Sequence, residues 1–126
     1  MQLAEAMRTD FITVAPEDTL GETAQKLVDA GVGAAVVLDF GRLIGIISER
    51  DLLQAMAGRV HTSDARVREW MTPDPICASP DTPVEEAAQT MLENNFRHLP
   101  VVEADRVVGV ASLRRLVGAA QLATSD

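Results

Sequence analysis

Gly45-Ile46-Ile47-Ser48-Glu49-Arg50-Asp51-Leu52-Leu53 is written twice in this chain, the second time as Gly109-Val110-Ala111-Ser112-Leu113-Arg114-Arg115-Leu116-Val117. The offset is 64 positions, and it carries Met7 to Leu53 onto Met71 to Val117 without a gap. Pro16 falls on Pro80, Glu22 on Glu86, Ala24 on Ala88, Gln25 on Gln89, Val37 on Val101 and Arg42 on Arg106. About a dozen identities in fewer than fifty aligned positions, with apolar positions matching between them, mark an internal duplication. Two copies of one unit packed face to face would create two quasi-equivalent clefts, and the differences between copies would decide which cleft works.

Each copy reads β-α-β-β-α. In the first, Phe11 to Val14 is a short β-type run ended by Pro16. Leu20, Ala24, Leu27 and Val28 fall at helical spacing, with Asp18 or Thr19 as N-cap and Gly31 and Gly33 as terminators. Ala34 to Leu38 is a continuous apolar run suited to a buried strand, Asp39-Phe40-Gly41 is a turn, and Leu43 to Ser48 is the next strand. Glu49 to Ala57 is a second helix, stopped at Gly58. In the second copy, Ile76 to Ala78 reads as a strand. Thr82-Pro83-Val84-Glu85 has capping-box spacing with Pro at the first helical position. His98 to Val102 and Val107 to Ser112 are strands, and Leu113 to Ala120 is the closing helix. Residues 58–70 form the connection, in which Asp64 to Trp70 can make a short helix, and 121–126 are a tail expected to fray.

The 126 residues suffice for one compact module of 7–57, 58–70 and 71–120, whose two halves are expected to share a core because each alone is small. Aromatics are only 3 %, so that core must be Val, Leu, Ile, Ala and Met. A net charge of −8 argues against nucleic-acid partners. Cys77 is the one cysteine, which excludes an intramolecular disulfide and a cysteine-rich metal site. His61 stands in the connection without patterned metal-ligating neighbours. No apolar run approaches the roughly 20 residues needed to span a membrane. Met1 to Asp10 lacks a basic stretch followed by an apolar one, so the cytoplasm is the expected compartment. There is no nucleophile–base pair, metal-ligand spacing or Walker-type loop, so the chain is not expected to be an enzyme or to carry a catalytic cofactor.

The duplication and order of elements, with Met71-Thr72-Pro73 leading a repeat, Arg97-His98-Leu99-Pro100-Val101-Val102 and Gly45 to Asp51, resemble the CBS-domain pair, or Bateman module, over about Met7 to Ala120. The resemblance implies an α/β fold of the α+β type, tandem repeats packed with pseudo-twofold symmetry, in a stand-alone pair. It implies a regulatory module that senses an adenosine-containing nucleotide (AMP, ADP or ATP) in the cleft between repeats. It also implies a homodimer and an effector protein of unknown identity.

The family's ribose and phosphate motif, Gly-x-x-Ser/Thr-x-x-Asp, is matched by Gly45, Ser48 and Asp51. A carboxylate can accept two hydrogen bonds from vicinal hydroxyls, and the helix start after Ser48 favours an anion. The same residues also read as an ordinary N-cap with an acid in the first turn. The second copy keeps Gly109 and Ser112 but has Arg115 in the acid's place, and Arg115 accepts no hydrogen bond. Arg97 and His98 stand where relatives approach the phosphates, while the first copy has Gly33 and Ala34 there. Asp51 with Arg97 and His98 would complete one cleft and leave the other without its parts. Thr13, Val14 and Ala15 are expected to line the adenine slot, or else to be plain core. S-adenosylmethionine is an alternative ligand on the same ribose anchor, and a ligand-free dimerisation or interaction module is the alternative function.

Overall fold

A computed structural model gives the structure of residues 1–124, with side chains described through residue 119. The elements are α1 (Leu3–Ala6), β1 (Ile12–Val14), α2 (Leu20–Ala30), β2 (Ala34–Asp39), β3 (Arg42–Ser48), α3 (Glu49–Ala57), α4 (Val67–Trp70), β4 (Thr72–Pro73), α5 (Val84–Asn94), β5 (His98–Glu103), β6 (Arg106–Ser112) and α6 (Leu113–Thr124). The fold is mixed α+β, as the pattern of periods predicts. α6 runs past Ala120, into the expected tail, and residues 125–126 lie outside the described residues.

The chain divides into two compact units. One is Phe11–Pro75; the other joins Met1–Asp10 to the residues from Ile76 onward. Each has a hydrophobic cluster of its own. Val14, Leu20, Leu27, Ala35, Val37, Ile47, Ala55 and Val67 fill the first. Leu3, Ala6, Val84, Ala87, Met91, Leu99, Val101, Ala111 and Leu116 fill the second.

In the Phe11–Pro75 unit the sheet order is β1-β2-β3-β4, with β1 parallel to β2 and the other pairs antiparallel. Thr19 caps α2 by accepting the Glu22 N–H at 3.1 Å, and Gly31, at φ 66°, ends it in the left-handed conformation that glycine adopts at no steric cost. Leu20 and Leu27 of the apolar face are buried, whereas Val28 is 74 % exposed. Connecting residues turn out to be structural. Val67 is fully buried, the Leu20 N–H donates to the Ala65 carbonyl, and the Val67 N–H donates to the Asp18 carbonyl.

The other unit repeats this plan with losses. β5 and β6 form a two-stranded hairpin whose register, His98↔Ser112 to Glu103↔Arg106, matches β2 and β3. Both hairpins turn on two residues at positive φ, Phe40 with Gly41 and Ala104 with Asp105. The strand expected at Ile76 to Ala78 is reduced to one parallel bridge, Ala78↔Val101. Pro100 explains it. The Ala78 N–H reaches the Pro100 carbonyl and the Val102 N–H reaches the Ala78 carbonyl, but the next rung would need an N–H from residue 100, and proline has none. Val36 supplies that donor in the first copy.

The expected capping box at the start of α5 is also absent. Pro83 is the N-cap, without a side-chain bond, and Thr82 instead accepts the Ser79 N–H at 3.2 Å. The first helical amide, Val84 N–H, is satisfied by the Met1 carbonyl at 2.9 Å. Residues 1–8 thus do for this unit what residues 65–72 do for the other.

Candidate functional site

Ser48 is the last residue of β3 and the N-cap of α3, so a strand end and a helix start meet at one hydroxyl. Asp51, three residues on, folds back onto it. Asp51 Oδ2 accepts the Ser48 N–H at 2.7 Å and the Ser48 hydroxyl at 3.1 Å, and Ser48 Oγ accepts the Asp51 N–H at 3.4 Å. This is a reciprocal capping box, so the N-cap reading of these residues is realised. It leaves room for a ligand, because a carboxylate has about four lone-pair sites and both side-chain bonds fall on Oδ2. Ser48 and Asp51 are half-buried. The Glu49 N–H is taken by the Gly33 carbonyl at 2.9 Å, which ties the helix start to the β2 entry.

Gly45 lies inside β3, fully covered, and is held there by packing. A Cβ on it would stand 2.6 Å from Met71 Sδ and 3.0 Å from the Thr72 carbonyl oxygen. The second copy shows the same constraint. A Cβ on Gly109 would stand 2.5 Å from Met7 Sδ and 3.0 Å from the Arg8 carbonyl oxygen. The glycine is therefore needed in both copies, with or without the acid.

Thr13, Val14 and Ala15 alternate along β1 and its exit. Val14 is 3 % exposed and belongs to the core cluster, whereas Thr13 and Ala15 are exposed. The Ala15 N–H donates to Asp18 Oδ2 at 2.9 Å, and the Lys26 ammonium reaches the Thr13 carbonyl at 3.3 Å. Phe11, Ile12, Thr13, Lys26, Asp29 and Ala30 line a shallow open depression.

Arg97 and His98 belong to the other unit. Arg97 is exposed, and its carbonyl accepts the Leu113 N–H at 2.8 Å, which puts it at the start of α6. His98 opens β5, half-buried, paired with Ser112. Ser112 Oγ accepts the Arg115 N–H at 3.2 Å, so this helix start is capped without any carboxylate. Asp10 forms a bidentate pair with Arg8 (3.1 and 3.0 Å), and the Arg8 hydrogen bond, aided by the charge of Arg115, lowers its carboxyl below the ordinary value. Among the described residues no group of three metal-ligating side chains exists, and no helix is long and apolar enough to cross a membrane.

Comparison with known proteins bears on this arrangement. The family model for the CBS domain matches residues 3–58 and again 67–121. An uncharacterized 17.7 kDa protein from Acidianus ambivalens is 34 % identical over 120 residues, covering 94 % of this chain and 72 % of its own length. The crystal structure of the CBS domain pair of protein MJ0100, in complex with 5-methylthioadenosine and S-adenosyl-L-methionine, superposes with a TM-score of 0.87 at 26 % identity, covering 94 % of this chain and 98 % of that one. The CBS-pair protein CBSX2 of Arabidopsis thaliana, in its complex with AMP, gives 0.80 at 28 % identity and covers 98 % of each chain.

Proposed function

The chain belongs to the CBS-domain family, as a tandem pair, and we propose that it binds an adenine nucleotide (AMP, ADP or ATP) at a single site anchored by Asp51. Tandem CBS pairs are regulatory ligand-binding modules, and the solved relatives hold adenosine compounds, AMP in one and S-adenosyl-L-methionine with 5-methylthioadenosine in the other. The observation that carries the reading is the difference between copies. The Ser112 helix start is capped without a carboxylate, so the carboxylate at Asp51 is more than the fold requires. In this proposal Asp51 accepts from the ribose hydroxyls, and Ser48 with the α3 start faces the first phosphate. Gly45 keeps the β3 backbone close, Thr13 and Ala15 border the base, and Val14 backs them from the core. Arg97 and His98 supply phosphate donors. Guanidinium and imidazole suit phosphate better than the sulfonium of S-adenosylmethionine, which places the nucleotide reading first.

Thermal unfolding with and without AMP, ADP, ATP and S-adenosylmethionine, with Asp51→Ala alongside, tests it. A ligand at about 100 times its dissociation constant adds roughly 2.7 kcal/mol. The expected outcome is a gain for a nucleotide that vanishes in Asp51→Ala. No gain for any of them, from a folded protein, moves the reading to a ligand-free interaction module. That second reading, and a homodimer in either case, is supported by apolar residues exposed at equivalent positions of both copies: Val28 (74 %) with Leu92 (63 %), and Leu53 (64 %) with Val117 (47 %). Sedimentation equilibrium on Leu53→Glu checks the dimer. Signalling would require ligand affinity to differ between two states of that assembly or its partner.

A further inference from the structure

The unit that begins at Ile76 is completed by a segment from far away in the sequence. Leu3 N–H donates to the Thr82 carbonyl, Ala4 N–H to the Pro80 carbonyl, and Val84 N–H to the Met1 carbonyl, all at 2.9 Å. Arg8 and Val110 exchange a pair of backbone bonds at 2.9 and 3.0 Å. Leu3 is fully buried, Ala6 is 4 % exposed, and Met7 lies over Gly109. The other unit receives residues 65–72 by the same bonds. Val67 N–H goes to the Asp18 carbonyl, Arg68 N–H to the Pro16 carbonyl, Leu20 N–H to the Ala65 carbonyl, and Met71 lies over Gly45. Even the internal brace recurs, Gln2 N–H to Glu5 and Arg66 N–H to Glu69, each at 2.8 Å.

Two segments with different sequences, Leu3-Ala4-Glu5-Ala6-Met7 and Val67-Arg68-Glu69-Trp70-Met71, occupy equivalent seats. The seat therefore reads little: an apolar residue, a glutamate two positions on, a methionine two further, and backbone groups otherwise. Its own segment is joined to the unit only through the whole of Phe11–Pro75, by way of exposed Thr9 and Asp10. Such a seat is filled in cis by effective concentration rather than by continuity of chain.

We propose that the face of the second unit covered by Met1–Arg8 is a docking site for that segment of a second copy of this chain, so that two chains can exchange residues 1–8. Arg8 and Asp10, where the segment leaves the seat, form an ion pair at 3.0 Å.

The test titrates a fluorescein-labelled peptide of residues 1–10 into the full-length Leu3→Asp chain, whose own segment cannot seat. Saturable one-to-one binding is expected, and about 100-fold weaker uptake by the wild-type chain, where the tethered segment competes. A peptide carrying Leu3→Asp is expected not to bind. If the Leu3→Asp chain fails to fold, uptake of excess peptide by the wild-type chain answers the question. Exchange between whole chains is read by mixing Leu3→Asp with Gly109→Val, whose seat is blocked while its segment is intact. The mixture is expected to melt above either variant alone. Peptide bound by neither chain, equal binding of the Leu3→Asp peptide, or a mixture that melts as its two components overturns the proposal.

Discussion

Gly45→Ala adds one methyl group at 2.6 Å from Met71 Sδ and 3.0 Å from the Thr72 carbonyl oxygen. The sulfur can swing aside, because methionine is flexible and Met71 is only half-buried, but the carbonyl belongs to β4 and is fixed by its pairing with β3. Overpacking of this kind costs about 1–3 kcal/mol. Alanine returns about 0.4–1 kcal/mol by restricting the unfolded chain. The net loss is about 1–2 kcal/mol, a fall in Tm of about 4–8 °C for a chain of this size. Gly109→Ala meets Met7 and the Arg8 carbonyl at 2.5 and 3.0 Å and is expected to cost the same. Met71→Ala in the Gly45→Ala background should recover part of the loss by removing the sulfur while the carbonyl remains. The assay is thermal unfolding followed by circular dichroism, without ligand. If Gly45→Ala left stability within about 0.5 kcal/mol of wild type while abolishing nucleotide-dependent stabilisation, the packing account of this glycine would be refuted, and a ligand-contact role would replace it.

Thr19→Ala is expected to cost about 1 kcal/mol as a lost N-cap, and Thr82→Ala about half of that or less, because Thr82 braces an exposed turn and caps nothing; urea unfolding separates them. Asp10 has a lowered pKa, so its pairing with Arg8 supports the folded state above the ordinary value of 3.8 and is lost as pH falls below it; the carboxyl carbon should titrate below 3.8 by NMR and return toward it in Arg8→Ala or high salt. Partial burial pushes the Cys77 thiol up, so iodoacetamide should modify it more slowly than a free thiol at neutral pH and catch up only at higher pH. Pro100→Val restores an N–H facing Ile76, and a protected amide at residue 100 with a second parallel rung is the expected result in hydrogen exchange.

The duplication, both hairpins, and the bounds of α2 and α3 were legible because they rest on side-chain patterns and on glycines that repeat. What escaped rests on backbone groups. The seating of Met1–Arg8 uses carbonyls of Pro80, Thr82 and Val110, which any residue supplies, and the four-residue helix α1 is too short to show a period. Thr82 has the spacing of a capping residue, yet its hydroxyl accepts the Ser79 N–H and the helix starts one residue later, with Pro83 as N-cap. Ile76 to Ala78 fails as a strand through Pro100, a partner remote in sequence, so no reading confined to those three residues could reveal it. Val28 sits one position around the helix from Leu27, and that rotation of about 100° carries it out of the core. At the site, Gly45, Ser48 and Asp51 stood out, but their spacing could not show that Met71 already demands the glycine or that the serine and aspartate already cap each other.

The second copy serves as a control for the first. Where both copies keep a residue, a structural cause is visible in both: Gly45 and Gly109 under methionines, Ser48 and Ser112 at helix starts. Where the copies differ, the fold can find a substitute, as Asn95 takes the left-handed position of Gly31. Asp51 and Arg115 are a different case. The arginine copy needs no acid to cap its helix. Gly33 and Ala34 hold the positions of Arg97 and His98 in the first copy, and Arg115 holds that of Asp51 in the second, so the copies differ in polar chemistry at all three. Positions where two copies of one unit differ in polar chemistry are where a ligand is best sought, and here they comprise one carboxylate, one guanidinium and one imidazole.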